Sequence, residues 1–260
     1  MADVRVAALS AEEAAEANAR FAKSEPQEVL KWGLERYGAR IALSSAFGAE
    51  DVVLIDMLWR LDRNSRVFTL DTLRLPTETY QLMDLIKARY GTNLETYYPN
   101  LDTVAAMVKE NGFNLFYRAL ENRKLCCGVR KVEPVERALK TVDAWITGLR
   151  RDQATTRTNI SKVELDDAHP GLVKLNPLAD WNWDQVWEYI RAYDVPYSEL
   201  HDKGYPSIGC APCTRAVLPG EDPRAGRWWW ESDPNAKECG LHVSDPLKDV
   251  HITIGGIGRS

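Results

Sequence analysis

The sequence predicts an α/β protein: a parallel sheet with helices on both faces, followed by an irregular C-terminal segment. Three observations carry this. Short apolar runs with β character alternate with helically spaced segments from Ile41 to Gly148, and that alternation means parallel strands joined by helical crossovers. The chain has 260 residues, 45% hydrophobic and 27% charged, which is an ordinary globular balance. No internal repeat or low-complexity linker divides it. Residues 1–200 are therefore read as an α/β unit with N-terminal helices, and 201–260 as a C-terminal segment of the same structural unit.

Each element has a local reason. Ser10 and Glu13 form a capping box before AAEANARFA, and PQEVLKWGLERYG is a second helix closed by Gly38. ARIALSS is the first strand and VVLIDMLWRLD the helix after it; RVFTLDT is the second strand. PTETYQLMDLIKARYG reads as a helix starting at Pro76 and stopping at Gly91, followed by NLETYYP as a third strand. LDTVAAMVKENG and EPVERALK are helical, and AWITG is a fourth strand. VELDDAHPGLVKLNPL holds two short strands, and WNWDQVWEYIRAYDV is an amphipathic helix capped by Asn182.

The net charge of −5 argues against broad binding to nucleic acid or a membrane surface, which needs an extended basic face. The N-terminal stretch lacks the pattern of a secretory signal, and no apolar run is long enough to span a bilayer, so the expectation is a cytoplasmic protein. A homo-oligomer is left open.

Five cysteines without an export signal argue against a disulfide framework. Cys126 and Cys127 are adjacent, Cys210 and Cys213 form C-x-x-C, and Cys239 stands apart. Four grouped thiols suggest a metal site, with zinc and iron–sulfur as the options. Adjacent cysteines point apart and suit a single ion poorly, which favours a [4Fe–4S] cluster. A redox C-x-x-C would leave Cys126 and Cys127 unexplained.

Several segments point to an anionic ligand. SSAFGAED follows the first strand, so Ser44, Ser45 and Gly48 offer hydroxyls and open backbone N–H groups at a helix start that includes Asp51. A tight turn explains those small residues equally well. Asp71, in LDTLR, lies at the carboxyl end of the second strand, where open α/β sheets bind ligands. Gly148 leads into Arg150, Arg151 and Arg157, whose planar guanidinium forks match phosphate and sulfate oxygens. Lys131 follows the cysteine pair and is a candidate bridge between a thiolate cluster and an anionic substrate. Arg224 and Arg227 stand beside three consecutive tryptophans, and KECGLH sets Cys239 near Lys237 and His242.

Taken together, SSAFGAED, TLDTLRLPTETY, CCGVRKVEPVERAL, WITGLRRDQATTR, HDKGYPSIGCAPCTRAV, GEDPRAGRWWWE and KECGLH resemble the adenylylsulfate reductases of assimilatory sulfate reduction, the iron–sulfur branch of the phosphoadenylylsulfate reductase family. The resemblance implies an adenine nucleotide α-hydrolase-like fold whose first loop, Ser44 to Asp51, holds the nucleotide. It implies a [4Fe–4S] cluster on Cys126, Cys127, Cys210 and Cys213, and Cys239 as the nucleophile that takes sulfonate from adenylylsulfate and releases AMP. Reduced thioredoxin or a similar dithiol protein would then free sulfite. Lys131, Arg224, Arg227 and His242 would surround the phosphosulfate, with Arg150, Arg151 and Arg157 on the substrate loop. Many relatives read LDTGR where this chain has Leu73 for the glycine, and Ala46 and Ala154 stand where serine is common. The nearest rival is a reductase of the 3′-phosphorylated substrate, or one accepting both; a non-catalytic zinc-binding module is more distant. An ATP pyrophosphatase of the same fold is disfavoured by the absence of an S-G-G-x-D loop.

Overall fold

The computed structural model describes residues 6, 8–154 and 157–232. Strands β1 (Ile41–Ser44), β2 (Arg66–Leu70), β3 (Leu94–Tyr97), β4 (Ala144–Ile146), β5 (Val163–Leu165) and β6 (Val173–Leu175) form one sheet in the order β3-β2-β1-β4-β6-β5. All neighbours pair in parallel except β5 and β6, which are antiparallel. The expected sheet is thus closed at one edge by a short hairpin. Chain order reverses between β1 and β4, so the crevice at their carboxyl ends is the switch point where ligands of such sheets bind.

The central strands are buried on both faces, as strands covered by helices on each side must be. On one face lie α1 (Ala11–Phe21), α2 (Pro26–Tyr37), α3 (Ala49–Leu61), α4 (Thr77–Tyr90) and α8 (Trp183–Ala192), with Phe21, Leu30, Leu54, Leu82 and Ile190 in one core. On the other, Val135, Ala138 and Leu139 of α7 (Glu133–Leu139) pack on Ala42, Phe68 and Trp145. A third cluster joins Met107 of α5 (Leu101–Asn111), Phe116, Val129, Cys210, Cys213 and Trp228.

The helix ends follow the local chemistry expected of them. Ser10 and Glu13 satisfy each other's backbone N–H at 3.1 and 2.7 Å, and Asn182 and Gln185 do the same at 2.9 Å each. Gly91 ends α4 in the left-handed region, its N–H on the Lys87 carbonyl. One helix lies outside the sequence expectation: α6 (Leu120–Cys127) runs through a π turn at Gly128–Val132 straight into α7. Both cysteines of the adjacent pair therefore sit in the last turn of a helix, and Lys131 sits on the π turn.

Candidate active site

A cavity of about 360 Å³ opens at the switch point between β1 and β4. Ser44, Ser45, Gly48 and Asp51 from the first loop line it, with Gly148, Arg150 and Arg157 from the loop after β4, Lys131 from the π turn, and Arg224 and Arg227 from the C-terminal segment. These ten sequence-selected residues are brought together from four separate stretches of chain. Cys239 and His242 lie outside the described residues, as does Lys237.

Two selected residues stand elsewhere. Arg151 is absent from the cavity wall; it is exposed and its Nε donates to the Ile160 carbonyl at 2.9 Å. Asp71 is buried behind the wall, its Oδ1 accepting from the Leu73 N–H and the Tyr80 hydroxyl, each at 2.8 Å. It holds the turn after β2 rather than facing the cavity.

The first loop also differs from expectation. Its amides are not open: the Asp51 carboxylate accepts from Ala46 N at 2.7 Å and Gly48 N at 3.2 Å, and Ser45 Oγ accepts from Phe47 N at 3.1 Å. A side chain three to five residues downstream fills the anion position that the loop creates. Gly148 is needed for this packing, since a Cβ there would lie 2.6 Å from Asp51 Oδ1 and 2.9 Å from Glu50 Cβ.

Burial, and then the neighbouring Glu50, push the Asp51 carboxyl up to about 7, against the pull of the loop amides. A raised acid favours the folded state while it is protonated. That contribution is complete below the ordinary carboxylate range and is lost as pH rises through about 7. Relative to Asp51→Asn, the wild-type protein should therefore lose stability from pH 5 to 7, by at most about 1.4 kcal/mol per pH unit, and run level above. Urea midpoints across pH 5–8 check this; parallel curves would refute it.

A second, smaller cavity is lined by Cys126, Cys127, Cys210 and Cys213, with Arg74, Arg123 and Arg130 around them. Thr72 Oγ1 lies 3.2 Å from Cys210 Sγ, and Arg130 Nη1 donates to the Thr72 carbonyl at 2.8 Å. The turn Ala211–Cys213 is tied to the loop after β2 by Ala211 N on the Arg74 carbonyl at 2.8 Å. Among the described residues no group of three Cys, His, Asp or Glu side chains is placed to hold a metal ion, and the four cysteines are brought together as residues lining one small cavity. Burial pushes the Cys213 thiol up to about 12, with Cys210 adding to it and Lys131 and Arg227 opposing. Burial likewise raises Cys126, opposed by Arg130 and Arg74. A positively charged group bound beside Cys126 and Cys213 would favour their thiolates, so the four-cysteine donor set and its ring of cations fit a thiolate-held metal group. Lys131, Arg227 and Trp228 line both cavities and are their common wall.

Leu73 answers the departure in LDTLR. Its φ of 60° is left-handed, the conformation glycine takes without penalty, and its side chain is exposed. Leu73→Gly should relieve strain at little packing cost and raise stability by a net 0.5–1 kcal/mol or so, after the added entropy of the unfolded chain. An unchanged or lower urea midpoint would refute this. Sequence reasoning missed His201, Trp183, Gln153 and Glu50 in the cavity wall. A histidine between tryptophan-rich stretches was the one visible signal for His201.

The switch-point cavity on a six-stranded, mostly parallel sheet defines an open α/β protein with its ligand cavity at the carboxyl ends of the strands. The fold is similar to Candida glabrata FMN adenylyltransferase bound to FAD and inorganic pyrophosphate (TM-score 0.53, 15% identity, 89% of this chain and 80% of that one). Residues 40–216 match the phosphoadenosine phosphosulfate reductase domain, and the chain belongs to that family. It is 52% identical to the adenosine 5′-phosphosulfate reductase of Allochromatium vinosum over 78% of each chain. It is 49% identical to that of Burkholderia cepacia over 79% of this chain and 81% of the relative. Among solved structures, the phosphoadenylyl-sulfate reductase of Candida auris, in its phosphate complex, matches with TM-score 0.70 and 32% identity over 80% of this chain and 98% of that one. Among the described residues no helix is long and apolar enough to cross a membrane.

Proposed function

We propose that this chain reduces adenylylsulfate to sulfite and AMP in sulfate assimilation, with Cys239 as nucleophile and a reduced thioredoxin-like protein as electron donor. The observation that carries this reading is the common wall: Lys131 and Arg227 face the nucleotide cavity and the four-cysteine cavity at once. The relatives named adenosine 5′-phosphosulfate reductase support the substrate. In this reading Cys126, Cys127, Cys210 and Cys213 hold a [4Fe–4S] cluster. When bound, that group supplies fixed charge beside the substrate, while the two electrons come from thiols.

The Cys239 thiolate attacks the sulfur of the mixed anhydride; a sulfur–sulfur bond forms, the bridging S–O bond breaks, and AMP leaves with the electron pair. Negative charge grows on the phosphate and sulfonate oxygens, where Lys131, Arg224 and Arg227 can stabilise it. A donor thiolate then attacks Cys239 Sγ and expels sulfite, and the donor's second thiol resolves the mixed disulfide. Sulfur falls from the +6 to the +4 state as one dithiol becomes a disulfide. Cys239 is seven residues beyond Ser232, so that stretch can span at most about 25 Å. In this reading the chain beyond Ser232 carries Cys239 to the cavity and then to the donor.

Incubating anaerobic protein with adenylylsulfate alone should add one sulfonate to the intact mass, at Cys239, and Cys239→Ser should lose it. No adduct from adenylylsulfate or its 3′-phosphorylated form would refute the chemistry. Iron and acid-labile sulfide at about four of each per chain test the cluster; a colourless protein with zinc would replace it.

A further inference from the structure

The nucleotide cavity is electrically uneven. At the end shared with the cysteines stand Lys131 and Arg227. At the other, where the loops after β1 and β4 meet, the cations are already engaged. Arg150 is only 4% exposed; its Nε donates to Glu50 Oε1 at 2.9 Å, and its Nη1 pairs with Asp152. Gln153 Nε2 donates to the same Glu50 oxygen at 2.8 Å, and Arg157 Nη1 donates to Gln153 Oε1 at 2.6 Å. The first-loop amides are occupied by Asp51. An added phosphate here would meet the Glu50 and Asp152 carboxylates, the Arg150 guanidinium already held by both, and Arg157 tied to Gln153.

The same end has an uncharged polar feature. His201 lines the cavity, packs edge-on against Trp183 and Trp187, and neither ring nitrogen has a hydrogen-bond partner. Burial lowers its pKa, so it stays neutral and keeps one donor and one acceptor. The wall at this end is thus aromatic and neutral, and it offers a second anion no counter-charge of its own.

We propose that Glu50 and Asp152, by holding Arg150, set this cavity for a nucleotide whose ribose carries no further phosphate. The proposal rests on the adenylylsulfate reading and names the residues behind its substrate choice. Glu50→Gln or Asp152→Asn removes a repelling charge and releases part of Arg150 to a phosphate.

Calorimetric titration of the holoprotein with AMP and with adenosine 3′,5′-bisphosphate tests it. The wild type should prefer AMP by roughly tenfold or more, and each variant should narrow that preference about fivefold. Asp152 is well exposed, with its side chain at 46%, so Asp152→Asn keeps the test alive if Glu50→Gln fails to fold. Equal wild-type affinity for both nucleotides, or an unmoved ratio in Asp152→Asn, would overturn the proposal. Wild-type protein that binds neither would overturn the functional reading, and this inference with it.

Discussion

Lys131→Met is expected to cut kcat/KM for adenylylsulfate by about 10²–10³-fold, the usual loss when one donor to a developing oxyanion is removed. Lys131 stands on the π turn between α6 and α7 and faces both cavities. Its charge already acts on the cysteine site, where it opposes the raised pKa of Cys213. In the proposed attack, new charge builds on the bridging oxygen as its bond to sulfur breaks, so the ammonium matters most at the transition state. AMP affinity should therefore fall much less than the rate of Cys239 adduct formation. Methionine keeps the length of the side chain and should leave the π turn folded, and Lys131→Arg should restore part of the rate. A loss below tenfold, or equal losses in binding and rate, would place Lys131 outside the chemistry.

What the sequence made legible was mostly local. Ser10 with Glu13, Asn182 with Gln185, and Gly91 mark helix ends through contacts within four residues, so a linear reading can find them. The grouping of Cys126, Cys127, Cys210 and Cys213 foretold their convergence on one cavity, because that spacing has few other uses. The π turn was hidden: Gly128 inside LCCGVRKV reads as a break, yet Val129 packs into the cluster with Phe116 and Trp228, and the helix continues through it. Tertiary packing overrides local propensity there.

The rest was lost to direction. Arg150 and Arg151 are neighbours of one type, but one is buried in the cavity wall and the other turns out to the Ile160 carbonyl. Asp71 and Asp51 both follow strands, yet each carboxylate satisfies its own loop's backbone. Small residues after a strand announce an anion position without saying whether the chain's own carboxylate fills it. The antiparallel β5 was equally silent, since a three-residue strand carries too little pattern to give its direction.

Arg123→Met is expected to destabilise the protein by about 3–5 kcal/mol, because it leaves a mostly buried carboxylate without its counter-charge. Arg123 is 2% exposed. Its Nε and Nη2 donate to the two oxygens of Glu231 at 2.9 and 3.0 Å, and its guanidinium lies 4.6 Å from the centre of a Trp228 ring. The urea midpoint should drop accordingly, while the double variant Arg123→Met/Glu231→Gln should recover part of the loss; strictly additive single effects would rule the coupling out. The pair also anchors the chain next to Ser232, from which the stretch to Cys239 departs. Under conditions where the variant is still folded, adduct formation at Cys239 should therefore slow more than AMP binding weakens, since Arg123 lies outside the lining of the larger cavity, the proposed nucleotide site. A parallel fall in both would mean that the ion pair supports the whole site rather than the departure point of its nucleophile.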